Sequence, residues 1–599
     1  MSSRMLVASS LTLFAVCLIH LTSAGKLECD YCQDTIKKVD ALVAANGTID
    51  DLDTVATLIC EEQKAGGECP PPMDSWQCEQ VCKLAVQTYT PMVDYLLLRY
   101  LDPQLICYNI DNNTFGCDKP QIPDPTPTPN IIYDNTTRRQ FNASSEIGYI
   151  LTIPDLHFDL QYKPDSVANC GEPVCCRGYD NDHNYSYPAV YGGLFGIANE
   201  SILCDTPLSV VQSMIDYIAN DIITNNPDGI DVNNLDMIIF VGDAEGHDVY
   251  NQSQPQHLNL MENWINLLRD GLDKFNIPVF MDLGNHEGLP CNNFGGPPVD
   301  DWFNQPVGQW LAHWIDTAGS VRYDARKPSE IMASSGYYTS LIRAGFRLIA
   351  INTGYLASDN FYLTFTQYDE PYIDLAGQYK WLNETLYRAK FVLNETVIII
   401  QHHPFTSLLE QFQSQYYALY DEYRDIIMTI MAGHTHCDHY HSLGNNNFSQ
   451  TAVNKPFATW WSAGSVVQYG GRNPAFRVFK YDRNTYELMN YYQYRMDTNK
   501  SNEEGKAYWF KAYDAVQEYG LKDISAQSMT QLAYELAVND TLWKRFAYNY
   551  YNGIYQSNPL DRNATVCGLL TTTSSQYDAC RQGVFYSDVT VEKYQSMYW

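Results

Sequence analysis

Five short apolar runs recur along one stretch of the chain, and polar residues follow each run directly. Continuous runs rich in Val and Ile are typical of strands that are buried on both faces of a sheet. In layered α/β folds, ligands bind at the carboxyl ends of such strands. The pattern therefore predicts an α/β domain with one shared polar site, built on strands over residues 149–153, 237–241, 278–281, 397–400 and 426–431.

The polar residues after these runs are ligand types of divalent metals. They supply carboxylate and amide oxygens together with imidazoles. Each motif alone is compatible with an ordinary turn, but the ordered set is what two metals sharing one bridging carboxylate require. Such a metal pair clamps a phosphate and lowers the pKa of water. We therefore predict a binuclear metal site with the ligands Asp155, His157, Asp243, Asn285, His402, His434 and His436.

The chain outside these strands divides into further segments. Residues 25–118 contain eight cysteines and apolar residues at helical spacing, which predict a small helical domain stapled by disulfides. Residues 119–148 contain five prolines and predict an extended linker. The sheet domain is expected over residues 149–485. A helical C-terminal domain is predicted over residues 486–599, with helical spacing at 506–519 and 528–551.

The first residues are typical of a secretory signal peptide. Arg4 precedes an apolar stretch over 5–21, and small residues offer a cleavage site after Ala24. A membrane anchor is the alternative, but the apolar stretch is short for one. Removal of residues 1–24 takes away Cys17 and leaves 16 of the 17 cysteines, an even number that suits an oxidising compartment. We therefore expect a secreted or lysosomal protein.

Charge and glycosylation signals agree with export. The formal net charge of −32 argues against a basic groove for nucleic acid, because neutralising phosphates requires Lys and Arg. Thirteen Asn-x-Ser/Thr sequons favour a glycosylated surface. Their asparagines are Asn46, Asn112, Asn135, Asn142, Asn184, Asn199, Asn251, Asn383, Asn394, Asn447, Asn499, Asn539 and Asn563.

Short motifs of the sheet segment resemble those of calcineurin-like metallophosphoesterases. Residues 242–248 match a Gly-Asp-x-x-x-His-Asp pattern, and residues 285–287 are Asn-His-Glu. With the cysteine-rich segment, the linker, a cysteine cluster at 170–204 and Tyr-Gly-Leu at 519–521, the whole mature chain resembles the acid sphingomyelinase family. The resemblance implies a layered α/β (α+β) architecture. Its parts are a β-sandwich metallophosphoesterase domain flanked by helices, an N-terminal all-α saposin B-type domain and a helical C-terminal domain.

The resemblance also implies a role for each site residue. Two adjacent histidines stand in the fourth motif, and the register favours His402 over His403 as the ligand. Zinc suits such a His-rich set and needs no redox partner, so two Zn²⁺ ions are expected. The implied general acid is His286, and His247 is expected to bind the phosphate. By the family pattern, the first metal is held by Asp155, His157 and His436, the second by Asn285, His402 and His434, and both by Asp243.

Cysteine pairing follows in part from the same resemblance. It implies bonds joining Cys29–Cys117, Cys32–Cys107, Cys170–Cys175 and Cys176–Cys204, and its spacing favours Cys60–Cys82 with Cys69–Cys78 as an added bridge. Near the C-terminus, Cys567 and Cys580 are expected to close a small loop. Each of Cys291 and Cys437 closely follows a metal motif. They either pair beside the site or remain free thiols near the metal.

By resemblance, the reaction is the zinc-dependent hydrolysis of sphingomyelin to ceramide and phosphocholine. The saposin B-type domain would bring the enzyme to this membrane lipid, and a helical spacer without a lipid role is the alternative. No nucleic acid and no stable protein partner are implied. The same site would also suit nucleotide diesters or other phospholipids, because fold and metals do not set the substrate. A lipid-binding protein with an inactive site is a rival from another class, although every expected ligand is present.

Overall fold

The structure, a computed structural model, describes most of the chain after the predicted linker. It covers residues 146–316, 326–366, 374–444 and 456–584, apart from 183, 184, 186 and 558, together with six helical residues between 84 and 92. The predicted signal peptide, most of the predicted saposin B-type segment with its eight cysteines, the predicted linker and six sequons lie outside the described residues. Within the described ranges, no helix has the length and apolar character that crossing a membrane requires.

Twelve strands in this part of the chain form two sheets. They are β1 (Ile147–Ile153), β2 (Leu235–Phe240), β3 (Val279–Met281), β4 (Tyr338–Arg343), β5 (Phe346–Ala350), β6 (Thr396–Ile400), β7 (Ile427–Ala432), β8 (Asp438–Gly444), β9 (Pro456–Ala463), β10 (Ala475–Asp482), β11 (Leu488–Met496) and β12 (Trp509–Asp514). The strand orders are β12-β11-β10-β1-β2-β3 and β4-β5-β6-β7-β9-β8. Buried side chains of both sheets belong to one apolar core.

Thirteen α-helices accompany the sheets in the described ranges. They are α1 (Leu208–Tyr217), α2 (Gln254–Leu272), α3 (Asp301–Ile315), α4 (Pro328–Ser335), α5 (Phe361–Thr366), α6 (Gln378–Tyr387), α7 (Glu410–Glu422), α8 (Thr498–Glu504), α9 (Ala515–Tyr519), α10 (Ala526–Val538), α11 (Asp540–Tyr550), α12 (Arg562–Leu570) and α13 (Ser574–Ala579). Their apolar faces pack on the sheets. For example, the ring of Trp264 on α2 meets that of Phe240 on β2 with centroids 5.4 Å apart.

The five predicted apolar runs coincide with the parallel strands. β1, β2 and β3 run parallel in the first sheet, and β5, β6 and β7 run parallel in the second. Five of these strands carry the apolar runs, and their residues are almost all buried because both faces are covered. The α/β prediction is therefore confirmed at the level of two mixed sheets with helices.

The predicted helix over residues 506–519 is wrong for most of its length. Trp509 to Asp514 form the edge strand β12, which pairs antiparallel with β11, and only Ala515–Tyr519 are helical. Trp509 and Tyr513 are both buried, and their spacing of four suits either a helix or a bulged strand. A boundary at 485/486 would fall within the first sheet, because β11 and β12 extend it with the short helix α8 between them. After β12, the described elements from Ala515 onwards are helical.

The second predicted C-terminal helix is two helices. The helix is interrupted at Asn539. The side chain of Asn539 accepts hydrogen bonds from the backbone amides of Thr541 and Leu542 and so caps α11.

The sequon asparagines in the described ranges, Asn539 included, are exposed or half-buried, as glycosylation requires.

Candidate metal centre

The predicted ligands lie at the carboxyl ends of β1, β2, β3, β6 and β7. Asp155 and His157 follow β1, and Asp243 follows β2. These three residues have φ values of 32°, 40° and 59°, in the left-handed region that non-glycine residues rarely adopt. The two histidines after β7, His434 and His436, share this feature with φ values of 71° and 55°. Strained backbone of this kind concentrates at functional sites, where the surrounding fold holds it in place.

One group of ligand atoms surrounds the space between β1 and β7. The Nε2 atom of His157 lies 2.9 Å from Nε2 of His436 and 3.5 Å from Oδ2 of Asp243. The Nε2 atom of His436 lies 3.8 Å from Oδ1 of Asp155. These four residues can offer ligand atoms that all lie within 4.8 Å of one another. They are the residues that the sequence assigned to the first metal and to the bridge.

A second group adjoins the first and shares Asp243 with it. Oδ2 of Asp243 lies 3.0 Å from Nε2 of His402. Oδ1 of Asn285 lies 2.9 Å from both Nε2 of His402 and Nδ1 of His434. Asp243, His402 and His434 again offer ligand atoms within 4.8 Å of one another. The shared carboxylate places Asp243 where a bridging ligand between two cations would have to be.

The hydrogen bonds of the histidines show that a cation fits these groups. Nδ1 of His157 lies 2.7 Å from the carbonyl oxygen of Glu245, and Nδ1 of His402 lies 2.7 Å from that of Val241. Each ring therefore donates from Nδ1 and, when neutral, presents a lone pair at Nε2. For His402 that lone pair faces two oxygens. Oδ2 of Asp155 is also buried without a hydrogen-bond partner. Facing acceptors of this kind are satisfied by a shared cation.

The electrostatics lead to the same conclusion. Burial alone would lower the pKa of His402, but the Asp243 carboxylate outweighs it and raises the pKa to about 10. Burial raises the pKa of Asp155 to about 8, partly offset by His402. Burial, reinforced by neighbouring imidazoles, holds the pKa of His436 well below its usual range. A divalent cation would take the place of the proton on Nε2 of His402 and keep Asp155 ionised. Neutral imidazole and ionised carboxylate are the protonation states that metal ligands need.

Two further histidines border the first group. The ring centroid of His157 is 3.9 Å from that of His247 and 4.5 Å from that of His286. Nδ1 of His286 lies 2.9 Å from the carbonyl oxygen of Gly246, and Nδ1 of His247 lies 2.6 Å from Oδ1 of Asp205. The structure therefore brings both residues to the site. It also places His247 within ligand reach of His157 and His436, which the sequence did not indicate.

The adjacent histidines of the fourth motif have different surroundings. His402 belongs to the second ligand group, whereas Nδ1 of His403 lies 2.9 Å from Oγ1 of Thr353. The ring of His403 is 4.5 Å from that of His434, centroid to centroid, so it packs behind the ligand group. The geometry thus agrees with the register that selected His402.

Sequence reasoning missed the residues that fix the loops around the site. The Glu287 carboxylate accepts hydrogen bonds from the backbone amides of Asp243, Ala244 and Gly284, at 2.9, 2.6 and 2.5 Å. It therefore ties the loop after β2 to the loop after β3. The Asn-His-Glu motif contains the signal for Glu287, but the motif alone does not say what the carboxylate contacts.

Of the two alternatives for Cys291 and Cys437, a bond between them is wrong, because both are buried free thiols. They lie beside different ligand groups: Sγ of Cys291 is 3.8 Å from Nδ2 of Asn285, whereas Cys437 follows His436 and accepts a hydrogen bond from Arg472 at 3.5 Å. Three other expected bonds are present, namely Cys170–Cys175, Cys176–Cys204 and Cys567–Cys580.

Comparison with known families divides the described chain into two matched regions. Residues 150–438 match the calcineurin-like phosphoesterase family. Residues 454–585 match the acid sphingomyelin phosphodiesterase C-terminal region. The first region contains every residue of the two ligand groups. The chain thus combines a phosphoesterase region with the C-terminal region of acid sphingomyelin phosphodiesterases.

Curated relatives resemble most of the chain. Sphingomyelin phosphodiesterase A of Dictyostelium discoideum is 27% identical, over 93% of this chain and 91% of its own length. The sphingomyelin phosphodiesterase of Bos taurus is 27% identical, over 76% of this chain and 68% of its own. The cyclic GMP-AMP phosphodiesterase SMPDL3A of Homo sapiens is 24% identical, over 74% and 92%. These names and the two matched regions support a phosphodiester hydrolase.

Proposed function

We propose that this protein is a zinc-dependent phosphodiesterase that hydrolyses sphingomyelin to ceramide and phosphocholine. The observation that carries the proposal is the convergence of seven ligand residues into two groups that share Asp243. The names of the curated relatives supply the substrate class. The matched C-terminal region supports the same class.

Two divalent cations suit the two ligand groups. Asp155, His157 and His436 would hold one, Asn285, His402 and His434 the other, and Asp243 both. Imidazole and carboxylate ligands suit Zn²⁺. When bound, such a pair would neutralise charge on the phosphate and lower the pKa of water beside it.

Two histidines outside the ligand groups, His286 and His247, would act on the leaving oxygen and on the phosphate. A bond forms between a water oxygen and phosphorus as the bond from phosphorus to the ceramide oxygen breaks. The leaving alkoxide requires a proton, and His286, which follows Asn285 in the chain, would donate it. His247, whose Nδ1 lies 2.6 Å from Oδ1 of Asp205, would hydrogen-bond a phosphate oxygen.

The proposal includes a route to the membrane and a compartment. The saposin B-type segment would present the lipid, and the signal peptide would direct the chain to a secreted or lysosomal fate. Two contacts support the docking of this segment on the phosphoesterase region: Thr88 donates a hydrogen bond to the carbonyl of Tyr250 at 3.0 Å, and Ala85 packs against the same residue.

A second candidate is hydrolysis of nucleotide diesters by the same site. The relative named as a cyclic GMP-AMP phosphodiesterase favours it. A third reading, a lipid-binding protein with an inactive site, is opposed by the complete ligand set.

One hydrolysis screen separates the three candidates. Purified protein is assayed on sphingomyelin micelles, phosphatidylcholine micelles and cyclic dinucleotides, after dialysis against chelator and again after zinc is restored. We expect zinc-dependent release of phosphocholine from sphingomyelin, unchanged in the His439→Ala control. Turnover of the dinucleotide alone would favour the second candidate, and no turnover of any substrate would favour the third.

A further inference from the structure

The buried carboxylate of Asp205 holds His247 at two points. Its Oδ2 accepts a hydrogen bond from the backbone amide of His247 at 2.7 Å, and its Oδ1 lies 2.6 Å from Nδ1 of the same residue. Asp205 is fully buried. The carboxylate therefore fixes both the backbone and the ring of His247, with Nδ1 as the donor and Nε2 left for the substrate.

The same carboxylate lies against Gly246. A Cβ atom at Gly246 would be 2.9 Å from Oδ2 of Asp205 and 3.3 Å from Oδ1 of Asp248, so only glycine fits there. The carbonyl oxygen of Gly246 in turn lies 2.9 Å from Nδ1 of His286. Asp205 thus sets the position of the peptide that orients His286, in addition to holding His247 directly.

A second buried residue, Arg177, donates hydrogen bonds to two neighbouring carboxylates. Its Nε donates to Oδ2 of Asp159 at 3.0 Å, and its Nη2 donates to Oδ2 of Asp248 at 2.9 Å. Asp159 follows the ligand His157 by two residues, and Asp248 follows His247. Arg177 therefore connects the loop after β1 to the loop after β2 beside the candidate site.

One disulfide connects the segment that contains Arg177 to the segment that contains Asp205. Cys176 precedes Arg177, Cys204 precedes Asp205, and Cys176 is bonded to Cys204. Both cysteines are buried. The carbonyl of His157 also accepts a hydrogen bond from the amide of Thr206 at 2.9 Å, so the segment after Cys204 is attached to the ligand loop as well.

We propose that Asp205 is a positioning residue for His247 and, through Gly246, for His286, and that the Cys176–Cys204 disulfide keeps Asp205 and Arg177 in place. This inference rests on the proposed function, because it concerns the histidines that act on the phosphate and the leaving oxygen. Asp205 acts through these histidines and touches no ligand atom of the two metal groups.

The test is the Asp205→Asn variant assayed on two substrates. Each oxygen of Asp205 accepts from one N–H group of His247, and an amide replaces one of these oxygens with a donor NH2 group, so one of the two hydrogen bonds is lost. We expect turnover of zinc-loaded enzyme on sphingomyelin to fall by on the order of 10–10³-fold, within the range of a misaligned proton donor. Turnover on bis(p-nitrophenyl) phosphate should fall less than about tenfold, because a phenolate leaves without a proton.

The ratio of the two rates on one sample does not depend on the folded fraction, so partial misfolding does not affect the result. Zinc content per active chain should match wild type. Asp482→Asn is the control, because the Asp482 carboxylate likewise accepts two hydrogen bonds, from the backbone amides of Asn484 and Thr485. Asp482 ends β10 opposite Ile147 at the start of β1, whereas the ligands follow the other end of β1. The control should keep the wild-type ratio.

The disulfide is tested by Cys176→Ala/Cys204→Ala against Cys567→Ala/Cys580→Ala. The first pair should lower the lipid-to-aryl ratio in the same direction as Asp205→Asn, and the second should not. Two outcomes would overturn the inference while the wild type still hydrolyses sphingomyelin. They are an unchanged ratio in Asp205→Asn and equal changes of the ratio in the two cysteine variants. Zinc-loaded wild type that cleaves neither substrate would overturn the proposed function itself.

Discussion

Two His-x-His pairs stand five residues apart, and the structure puts them to different uses. The first pair is His434 and His436, in the loop after β7, and the second pair is His439 and His441, in β8. The rings of the first pair face Asp155, Asp243 and Asn285 through the distances given above. Residue type and spacing are the same in the two pairs, so the surroundings decide what each pair can bind.

The second pair meets neutral groups instead. Nε2 of His439 lies 2.9 Å from Oγ1 of Thr435, and Nδ1 of His441 lies 2.6 Å from the carbonyl oxygen of Gly568. Both rings pack against Trp460, with centroids 5.5 and 5.0 Å away. Among the described residues, the groups that could hold a metal include the first pair and omit the second.

Backbone conformation separates the pairs as clearly as their neighbours do. Both residues of the first pair have positive φ, which turns their rings towards the ends of β1 and β2. The second pair lies in a regular strand, where side chains two apart share one face. A ligand pair therefore needs both a strand-end loop and facing anions, and the sequence spacing alone supplies neither.

The largest expected effect comes from the anion that both ligand groups share. Asp243→Asn should reduce zinc from about two ions per chain to less than one and lower turnover by at least ~10³-fold, because a bridging carboxylate holds both metals. Elemental analysis of the dialysed protein and hydrolysis assays measure the two quantities. A fully active preparation with at most one metal per chain would contradict the binuclear site.

Replacing one histidine of each pair with alanine tests the difference between the pairs most directly. His436→Ala should remove about one zinc ion and lower turnover by roughly 10³-fold, since it deletes a ligand of the first group. His439→Ala should leave zinc content unchanged. Elemental analysis of both variants decides the matter: zinc lost from His439→Ala and retained in His436→Ala would mean that the pairs have been assigned the wrong way round.

Part of this contrast is readable in the sequence and part is not. The predicted ligands follow apolar strands, and strand ends meet at one edge, so the grouping of Asp155 with the other strand-end residues could be predicted without a structure. The choice of His402 over His403 rested on the register of the family motif. Asp205 could not be predicted, because it contacts His247 across 42 residues and no local pattern marks it. Spacing likewise gave a false helix at Trp509 and Tyr513, where packing on β11 decides. It also could not decide whether Cys291 and Cys437 pair, because sequence position does not report distance.

A third use of histidine is expected at His286, which lies outside the two ligand groups and whose ring meets those of His157 and His247. His286→Ala should lower turnover on sphingomyelin by on the order of 10²–10⁴, the range for a positioned proton donor. The loss on an aryl diester should be much smaller, and zinc content should stay at the wild-type level. Kinetics on both substrates measure this. Equal losses at full zinc occupancy would assign His286 to phosphate binding and make His247 the next candidate for the proton donor.

The smallest expected effect is that of the second pair on the pH dependence of the free energy of unfolding. Burial, then the charge of the neighbouring His441, holds the pKa of His439 well below its usual value. Burial also lowers the pKa of His441, although hydrogen bonds to two carbonyls oppose it. Folding therefore disfavours the charged form of both histidines. As the pH falls below about 6.5, the unfolded chain takes up more protons than the folded chain, so stability is lost on acidification.

Replacing the second pair should remove part of that loss. We expect His439→Gln/His441→Gln to lose less free energy of unfolding than wild type between pH 7 and pH 5, by at most about 1.4 kcal/mol per pH unit for each histidine. Urea unfolding at several pH values, with zinc saturating throughout, measures the slope. A steeper slope in the double variant would mean that the second pair is charged in the folded protein, and that an anion faces it as one faces the first pair.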